Sequence, residues 1–206
     1  EGTRDYFKET YGRETVFIPN GIDVQNEKKA DIITKKYGLE KDGYILFLAR
    51  IVPEKGLHYL IDAFMQTDTD KKLVIAGGVS HSSEYAKQIH NMAKDDRIIF
   101  TGFVEGDELW ELYYNCRMYV LSSDVEGMPI SLLEAMACGC ECLVSDIDTA
   151  KNVVGEYGYT FKKSDVNDLK NKLCEILSKP KADKAEQIEY VKNNYSWDEI
   201  TDRTLE

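Results

Sequence analysis

YILFLARIVPEKGLHYLIDAFM, residues 44–65, decides the fold, because an unbroken apolar run leads through a short loop into an amphipathic stretch. A near-continuous apolar run is typical of a strand that is covered on both faces of a sheet. The next such run, KLVIA at 72–76, follows the amphipathic stretch, which is the order of a βαβ unit. This part of the chain therefore predicts an α/β fold with a parallel sheet.

The same alternation of short apolar runs and longer amphipathic stretches continues along the chain. Strands are predicted near residues 16–18, 44–49, 72–76, 98–101, 118–122, 142–145 and 159–161. Helices are predicted at 28–37, 56–65, 83–94, 107–115, 129–138, 166–177, 184–193 and 197–205, and the N-terminal RDYFKETYG resembles the tail of a helix. We therefore predict a single Rossmann-like domain over residues 1–206, a parallel sheet flanked by helices.

Composition limits the possible functions. Of the 206 residues, 43% are hydrophobic, which is enough for a sizeable core. The net charge of −11 argues against a nucleic-acid or anionic-membrane surface. No stretch reaches the roughly 20 apolar residues that span a bilayer, and no signal peptide is recognisable, so we predict no membrane segment in this chain and a cytoplasmic location. The five cysteines are an odd number, which favours reduced thiols over a disulfide framework.

The loop LARIVPEKG, residues 48–56, contains two cations that are candidates for binding an anion. Lys55 lies at a predicted helix start, where the helix dipole disfavours a cation unless an anion compensates for it. Arg50, at the strand end, has a planar guanidinium that suits bidentate contact with phosphate. The alternative is that both side chains form solvated ion pairs with Glu54 or other surface acids.

A second loop, AGGVSHSSEY at 76–85, offers a weaker signal. Gly77 and Gly78 permit close backbone approach or a positive φ, but a lone Gly-Gly pair is more often a turn. The histidines have no Cys or second His at metal-ligand spacing, so solvated surface positions are expected for them. They are His58, His81 and His90.

The third loop belongs to EGMPISLLEAMACG, residues 126–139. Pro129 suits the first helical position, so the amides of Met128, Ile130 and Ser131 should point outward and form an anion cradle. Glu126 precedes the helix, whereas Glu134 lies about 7–8 Å along its axis and can accept two hydroxyl hydrogen bonds from a sugar. The alternative is that the two carboxylates are ordinary helix acids, one of them favoured by the dipole.

Two further patterns suggest metal sites but are better explained otherwise. Cys138, Cys140 and Cys142 lack the gaps and the fourth ligand of a zinc site, and we interpret them as small buried side chains at a helix end and a strand start. Asp68-x-Asp70 and Asp146-x-Asp148 fall in predicted turns of an acid-rich chain and are interpreted as incidental. The sequence therefore predicts no metal site.

Four segments together resemble the donor-binding half of the family-4 retaining glycosyltransferases, in register over nearly the whole chain. They are FIPNGID (17–23), LARIVPEKG (48–56), IIFTGFV (98–104) and EGMPISLLEAMACG (126–139). Four motifs in the right order make a chance match very improbable. The resemblance implies a GT-B architecture of two Rossmann-like domains, of which this chain is the C-terminal, nucleotide-sugar-binding one. Helices at about 184–205 would then pack towards the N-terminal domain that the chain lacks.

The resemblance also implies a role for each matching residue. Arg50 and Lys55 would bind the diphosphate of a UDP-, GDP- or ADP-sugar donor and neutralise the leaving group without a metal or other cofactor. Glu134 would hold the ribose hydroxyls, and Glu126 would contact the donor sugar near the reacting carbon. The backbone groups expected to contact phosphate and sugar belong to Gly127, Met128, Pro129 and Ile130. Phe103 and Val104 would border the base, and Asn20 and Gly21 would lie at the interdomain cleft.

The implied reaction is transfer of the sugar, with retention of anomeric configuration, to an acceptor glycan or glycolipid bound by the absent domain. The product would be a cell-surface polysaccharide or glycolipid, this chain alone would be inactive, and the whole enzyme could bind peripherally at the inner membrane face. A sugar phosphorylase, a nucleotide-sugar epimerase and a non-catalytic nucleotide-binding module remain alternatives. The chain departs from the family pattern at Glu141, Cys142 and Leu143, at Asp148-Thr149-Ala150 and at Asn152, which leaves the shape of the sugar pocket open.

Overall fold

Six parallel strands form a twisted sheet in the computed structural model of the protein, which describes residues 2–16, 18–23, 25–79 and 83–205. The strands are β1 (Tyr44–Leu48), β2 (Lys72–Ala76), β3 (Ile98–Gly102), β4 (Met118–Leu121), β5 (Cys142–Ser145) and β6 (Tyr159–Phe161). Every neighbouring pair is parallel, and the strand order is β3-β2-β1-β4-β5-β6. The predicted α/β fold with a Rossmann-like sheet is confirmed.

Helices cover both faces of this sheet. They are α1 (Gly2–Tyr11), α2 (Ile32–Tyr37), α3 (Leu57–Met65), α4 (Ser83–Met92), α5 (Gly106–Asn115), α6 (Ile130–Ala137), α7 (Asp148–Val154), α8 (Val166–Leu177), α9 (Ala185–Tyr195) and α10 (Trp197–Leu205). Alternate strand residues face opposite sides, so Leu46 packs with the core under α5 and α6, whereas Ile45 and Phe47 pack with the core under α3 and α8. The continuous apolar runs of the sequence follow from this two-sided burial.

Several element boundaries differ from the sequence prediction. The strand predicted near 16–18 is wrong for Val16 and Ile18, which are exposed and outside any strand, while Phe17 lies outside the described residues. The chain runs instead towards α9, where Ile22 N donates to Tyr195 O at 2.7 Å. The helix predicted from residue 28 begins only at Ile32, because the buried Glu111 carboxylate of α5 accepts hydrogen bonds from the amides at that helix start.

Three further predictions need correction. Pro129 is the N-cap residue of α6 (φ −78, ψ 92) and not its first helical residue. Asp146-x-Asp148 does not lie in a turn throughout, because Asp148 opens α7, a helix that the sequence analysis missed. His58 is half-buried rather than solvated: its Nδ1 lies 2.8 Å from the Tyr85 hydroxyl, and burial lowers its pKa. His81 lies outside the described residues.

The strand order reverses direction between β1 and β4, and ligands of open α/β sheets bind at such a point, beyond the carboxyl ends of the strands. The loops that follow β1 and β4 meet there at very close range. Gly56 has a φ of +62, and a Cβ atom at this position would lie 2.0 Å from the carbonyl oxygen of Ser122. Glycine at residue 56 therefore permits both the backbone conformation and the contact between the two loops.

Gly56→Ala tests whether this contact is needed. We expect a loss of at least about 2 kcal/mol in the free energy of unfolding, because the left-handed conformation costs about 1–2 kcal/mol and the Ser122 carbonyl must also move. Gly106→Ala is the matched control, since Gly106 has a φ of +60 and open space where its Cβ would lie. Urea denaturation of both variants measures the difference. Equal losses would show that the contact with Ser122 is unimportant.

Candidate active site

The loops after β1 and β4 are joined by hydrogen bonds at the carboxyl edge of the sheet. The Ser122 hydroxyl donates to the carbonyl oxygen of Lys55 at 3.1 Å, and the amide of Asp124 donates to the carbonyl oxygen of Glu54 at 2.9 Å. A short 3-10 helix, Pro53–Lys55, leads into α3 and carries Lys55 to this junction. The backbone thus fixes the two candidate loops relative to each other.

Lys55 and Glu126 form an ion pair across this junction. Lys55 Nζ lies 2.6 Å from Glu126 Oε1, and the same oxygen accepts a hydrogen bond from the Ser123 hydroxyl at 2.6 Å. The side chains are only 17% and 6% exposed, respectively. The alternative of a solvated surface pair is therefore wrong for Lys55, whose partner is the candidate catalytic carboxylate itself.

Arg50 differs from Lys55 in having no partner. It follows β1, its side chain is exposed, and within the described residues its guanidinium makes no hydrogen bond or ion pair. The alternative of an ion pair with Glu54 is therefore wrong for Arg50 as well. The expected convergence of Arg50 and Lys55 on one anion stays a prediction.

Glu134 lies in the second turn of α6 and is half-buried, so it is not an ordinary exposed helix acid. The Tyr113 hydroxyl donates to Glu134 Oε2 at 2.8 Å. Burial raises the pKa of the Glu134 carboxyl, and the hydrogen bond from Tyr113 opposes this effect by stabilising the charged form. Oε1 makes no hydrogen bond to another described residue, which leaves a carboxylate oxygen for a ligand hydroxyl.

The N-terminus of α6 lies between these two carboxylates. Pro129 caps it without a side-chain hydrogen bond, and Leu132 N and Leu133 N both donate to the carbonyl oxygen of Pro129. The amides of Ile130 and Ser131 precede the first intrahelical bond and have no carbonyl partner in the helix. Gly127, in the approach loop, has open space around its Cα. These features suit the predicted anion cradle, although binding itself is not tested by them.

The other residues predicted to belong to the site differ in their exposure and contacts. Phe103, just beyond β3, is 75% exposed, whereas Val104 is buried. Asn20 N contacts Met128 Sδ at 3.0 Å, so the N-terminal segment reaches the loop that precedes α6. Gly21 lies under Trp197, to which an added Cβ would come as close as 2.6 Å.

The second candidate loop serves to bring backbones together. Gly77 has a φ of +144, and an added Cβ would lie 1.9 Å from the carbonyl oxygen of Ala49, which requires glycine. Gly78 has open space around it. Residues 80–82 lie outside the described residues, so the rest of this loop stays a prediction.

The cysteines take the packing role that their positions predicted. Cys138, Cys140 and Cys142 are buried free thiols in the core beside α6, with Cys116 next to them. Gly139 ends the helix with a φ of +70, as expected. Among the residues that the structure describes, no group of three or more His, Cys, Asp or Glu could hold a metal ion.

Sequence reasoning missed three polar side chains of the site, two of which donate hydrogen bonds to the carboxylates. Ser123 binds Glu126, Tyr113 binds Glu134, and the Tyr119 hydroxyl lies 2.9 Å from Ser131 Oγ on the first turn of α6. Tyr113 and Tyr119 fit apolar patterns of a helix and a strand, so only their hydroxyl groups could have signalled this role. Ser123 is in a polar run directly after β4, which was a usable signal.

The parallel sheet, the helices on both of its faces and the two loops at its carboxyl edge form a Rossmann-like domain. A family model described as "Glycosyl transferases group 1" matches residues 29–194, and the chain belongs to this family. The match covers β1 to β6 and both loops that form the candidate site.

Individual relatives agree with this assignment. The chain is 31% identical over 150 residues to the serotype-specific mannosyltransferase WbdA of Escherichia coli, covering 69% of this chain and 18% of the relative. It is 26% identical over 183 residues to O-antigen chain mannosyltransferase B of Escherichia coli, covering 84% of this chain and 47% of the relative. The chain thus spans less than half the length of either relative.

Solved structures show the same fold. The crystal structure of Anabaena HepE in complex with UDP and glucose matches with a TM-score of 0.86 at 21% identity, over 98% of this chain and 59% of that one. Sucrose-phosphate synthase from Thermosynechococcus elongatus matches with a TM-score of 0.83, also at 21% identity, over 99% of this chain and 55% of that one. These similarities confirm the Rossmann-like fold of a GT-B glycosyltransferase domain. In the described part of the chain, no helix is long and apolar enough to cross a membrane.

Tyr113→Phe tests how the ribose-binding candidate Glu134 is controlled. Removal of the hydroxyl removes a hydrogen bond that favours the carboxylate, so we expect the already raised pKa of Glu134 to rise further. A titration of the side-chain carboxyl carbon by NMR measures it. Tyr119→Phe is the control, because the Tyr119 hydroxyl bonds to Ser131 and should leave the pKa of Glu134 unchanged. A lower pKa in Tyr113→Phe would contradict this description of the site.

Proposed function

We propose that this chain binds a nucleoside diphosphate sugar between the loops after β1 and β4, as the donor-binding part of a retaining glycosyltransferase. The observation that carries the proposal is the joining of Lys55 to Glu126 beside the open N-terminus of α6, in a chain of the group 1 family. Retention is implied by the family resemblance. The acceptor would bind to a further domain outside this chain.

The diphosphate is assigned to Arg50, Lys55 and the first amides of α6. Arg50 lies after β1 and has no side-chain partner among the described residues, and a guanidinium can bind two phosphate oxygens at once. Lys55 neutralises Glu126, which reduces the repulsion that a lone carboxylate would exert on an incoming anion. Helix amides and cations of this kind can stabilise the leaving nucleoside diphosphate. We therefore propose that the reaction requires no metal.

The nucleoside is assigned to Glu134 and the end of β3. The free oxygen of the Glu134 carboxylate can accept a ribose hydroxyl, while Tyr113 holds the other oxygen. The exposed ring of Phe103 and the adjacent Val104 would border the base. The relative HepE was crystallised with UDP, and we carry over only the wider expectation of a UDP-, GDP- or ADP-sugar.

In the proposed reaction, the bond between the anomeric carbon and the β-phosphate oxygen breaks, and the bonding pair leaves with the nucleoside diphosphate. An acceptor hydroxyl oxygen forms the new bond to the same carbon, and its proton passes to the departing β-phosphate oxygen. Glu126 would stabilise the positive charge that develops on the sugar, without acting as a nucleophile. The name of one relative, O-antigen chain mannosyltransferase B, supports an acceptor that is a glycan or glycolipid. We further propose a cell-surface polymer as the product and an enzyme that is cytoplasmic or peripheral at the inner membrane face.

Calorimetry with UDP, GDP and ADP tests the assignment of Lys55. Lys55→Ala should weaken binding of the nucleoside diphosphate that binds best by about tenfold or more, because a charge-assisted phosphate contact is lost. Binding of the corresponding nucleoside should change little. Equal losses for the two ligands would contradict the assignment.

Two variants separate phosphate binding from loss of the ion pair. Glu126→Gln breaks the pair but leaves Lys55 in place, so it should not weaken diphosphate binding, although it should abolish transfer in the whole enzyme. Lys71→Ala is a further control, because Lys71 forms an ion pair with Asp70 at the opposite edge of the sheet. A loss of diphosphate affinity in Glu126→Gln as large as in Lys55→Ala would show that the pair acts structurally.

A further inference from the structure

A cavity of about 400 Å³ lies beside the loop that precedes α6. Its lining comes from that loop, from α7, and from the ends of α1 and α9. The lining residues are Arg4, Gly127, Met128, Thr149, Asn152, Val153 and Tyr195. A volume of this size lies within the range of small-molecule sites.

Two polar side chains of α7 face this cavity with their hydrogen-bonding groups unused. Thr149 and Asn152 are three residues apart, which places them on one face of the helix. In the described part of the chain, neither side chain makes a hydrogen bond. Together they offer a hydroxyl, an amide oxygen and an amide NH₂ group, which both donate and accept. This mixed set matches the hydroxyls of a sugar better than it matches a phosphate, which only accepts.

The apolar part of the lining suits the same ligand. Met128 and the buried Val153 provide apolar surface, and Met128 is held in place by the contact with Asn20 N. A pyranose ring presents C–H groups as well as hydroxyls, so it fits a pocket with apolar walls and a few placed polar groups. Among the described residues that line this cavity, Arg4 is the only charged one, so no acid in this set disfavours a donor that carries phosphate.

We propose that Thr149 and Asn152 form hydrogen bonds with the hydroxyls of the donor sugar and so determine which sugar the site accepts. The inference rests on the proposed function, because the phosphate at the α6 N-terminus would bring the attached sugar to the Gly127–Met128 side of the loop. These two residues would be specificity determinants that contact the transferred group. They take no part in binding the nucleoside diphosphate.

Calorimetry with pairs of ligands tests this assignment on the chain as it stands. The pairs are UDP with UDP-glucose, UDP-galactose and UDP-N-acetylglucosamine, GDP with GDP-mannose, and ADP with ADP-glucose. Asn152→Ala should weaken the best nucleotide sugar by about fivefold to tenfold, which is the usual scale of one or two hydrogen bonds, and Thr149→Val by about threefold. Affinity for the free diphosphate should change by no more than about twofold from that of the unmodified chain. The differences in affinity among nucleotide sugars that share one base should become smaller.

Lys151→Ala is the matched control, since Lys151 is an exposed residue of the same helix that does not line the cavity. It should leave every affinity unchanged. Nucleotide-sugar affinities that do not fall in Asn152→Ala and Thr149→Val, or that fall by the same factor as those of the free diphosphates, overturn the assignment and leave the proposed function intact. Failure of the unmodified chain to bind any of the three diphosphates overturns the proposed function and this inference with it.

Discussion

The ion pair between Lys55 and Glu126 is the interaction on which the candidate site depends. It joins the loop after β1 to the loop after β4, the two neighbouring strands between which the strand order reverses. An unpaired lysine just before a helix start is unfavourable, and an unpaired, nearly buried carboxylate is costly. In the ion pair, each charge offsets the free-energy cost of placing the other. The close contact of Gly56 with Ser122 brings the backbones near enough for the pair to form.

Side chains from the core hold α6 in place next to the junction of the two loops. Tyr113 and Tyr119 rise from the core to hold Glu134 and Ser131 on α6, and the thiols of Cys116 and Cys140 both donate to the carbonyl oxygen of Tyr113. These thiols therefore form weak hydrogen bonds to α5, the helix that carries Tyr113, and pack in the core beside α6. Burial raises the pKa of the Cys140 thiol well above its usual range, which keeps it protonated and unreactive.

The amino edge of the sheet is fastened separately. Arg117, just before β4, forms a buried ion pair with Glu141, just before β5, and also donates to the carbonyl oxygens of Ile176 and Lys179 at the end of α8. Glu141 is one of the positions at which the chain departs from the family pattern, and the structure gives this residue a partner inside the domain. This departure therefore has a structural role at the amino edge of the sheet.

The positions of the strands and of most helices along the chain could be predicted, because burial on both faces of the sheet requires continuous apolar runs such as YILFLA and KLVIA. Contacts between residues that are distant along the chain produce no such local sequence pattern. The start of α2 is set by Glu111 from another helix, and the partner of Lys55 lies 71 residues away, so spacing along the chain could not reveal either. Short α7 was missed because Asp146-x-Asp148 resembles a turn. Thr149 and Asn152 were therefore noted only as departures from the family pattern and not as neighbours on one face of a helix.

The central claim is that a nucleoside diphosphate binds at the carboxyl edge between β1 and β4. A titration of the isotope-labelled chain with UDP, GDP and ADP, followed through backbone amide chemical shifts, tests it most directly. We predict that at least one of them shifts the amides of residues 55–57, 103–104, 127–128 and 130–131 and leaves those of 116–117 and 141–142, at the opposite edge, unchanged. Absence of shifts with all three, or shifts concentrated at the opposite edge, would contradict it.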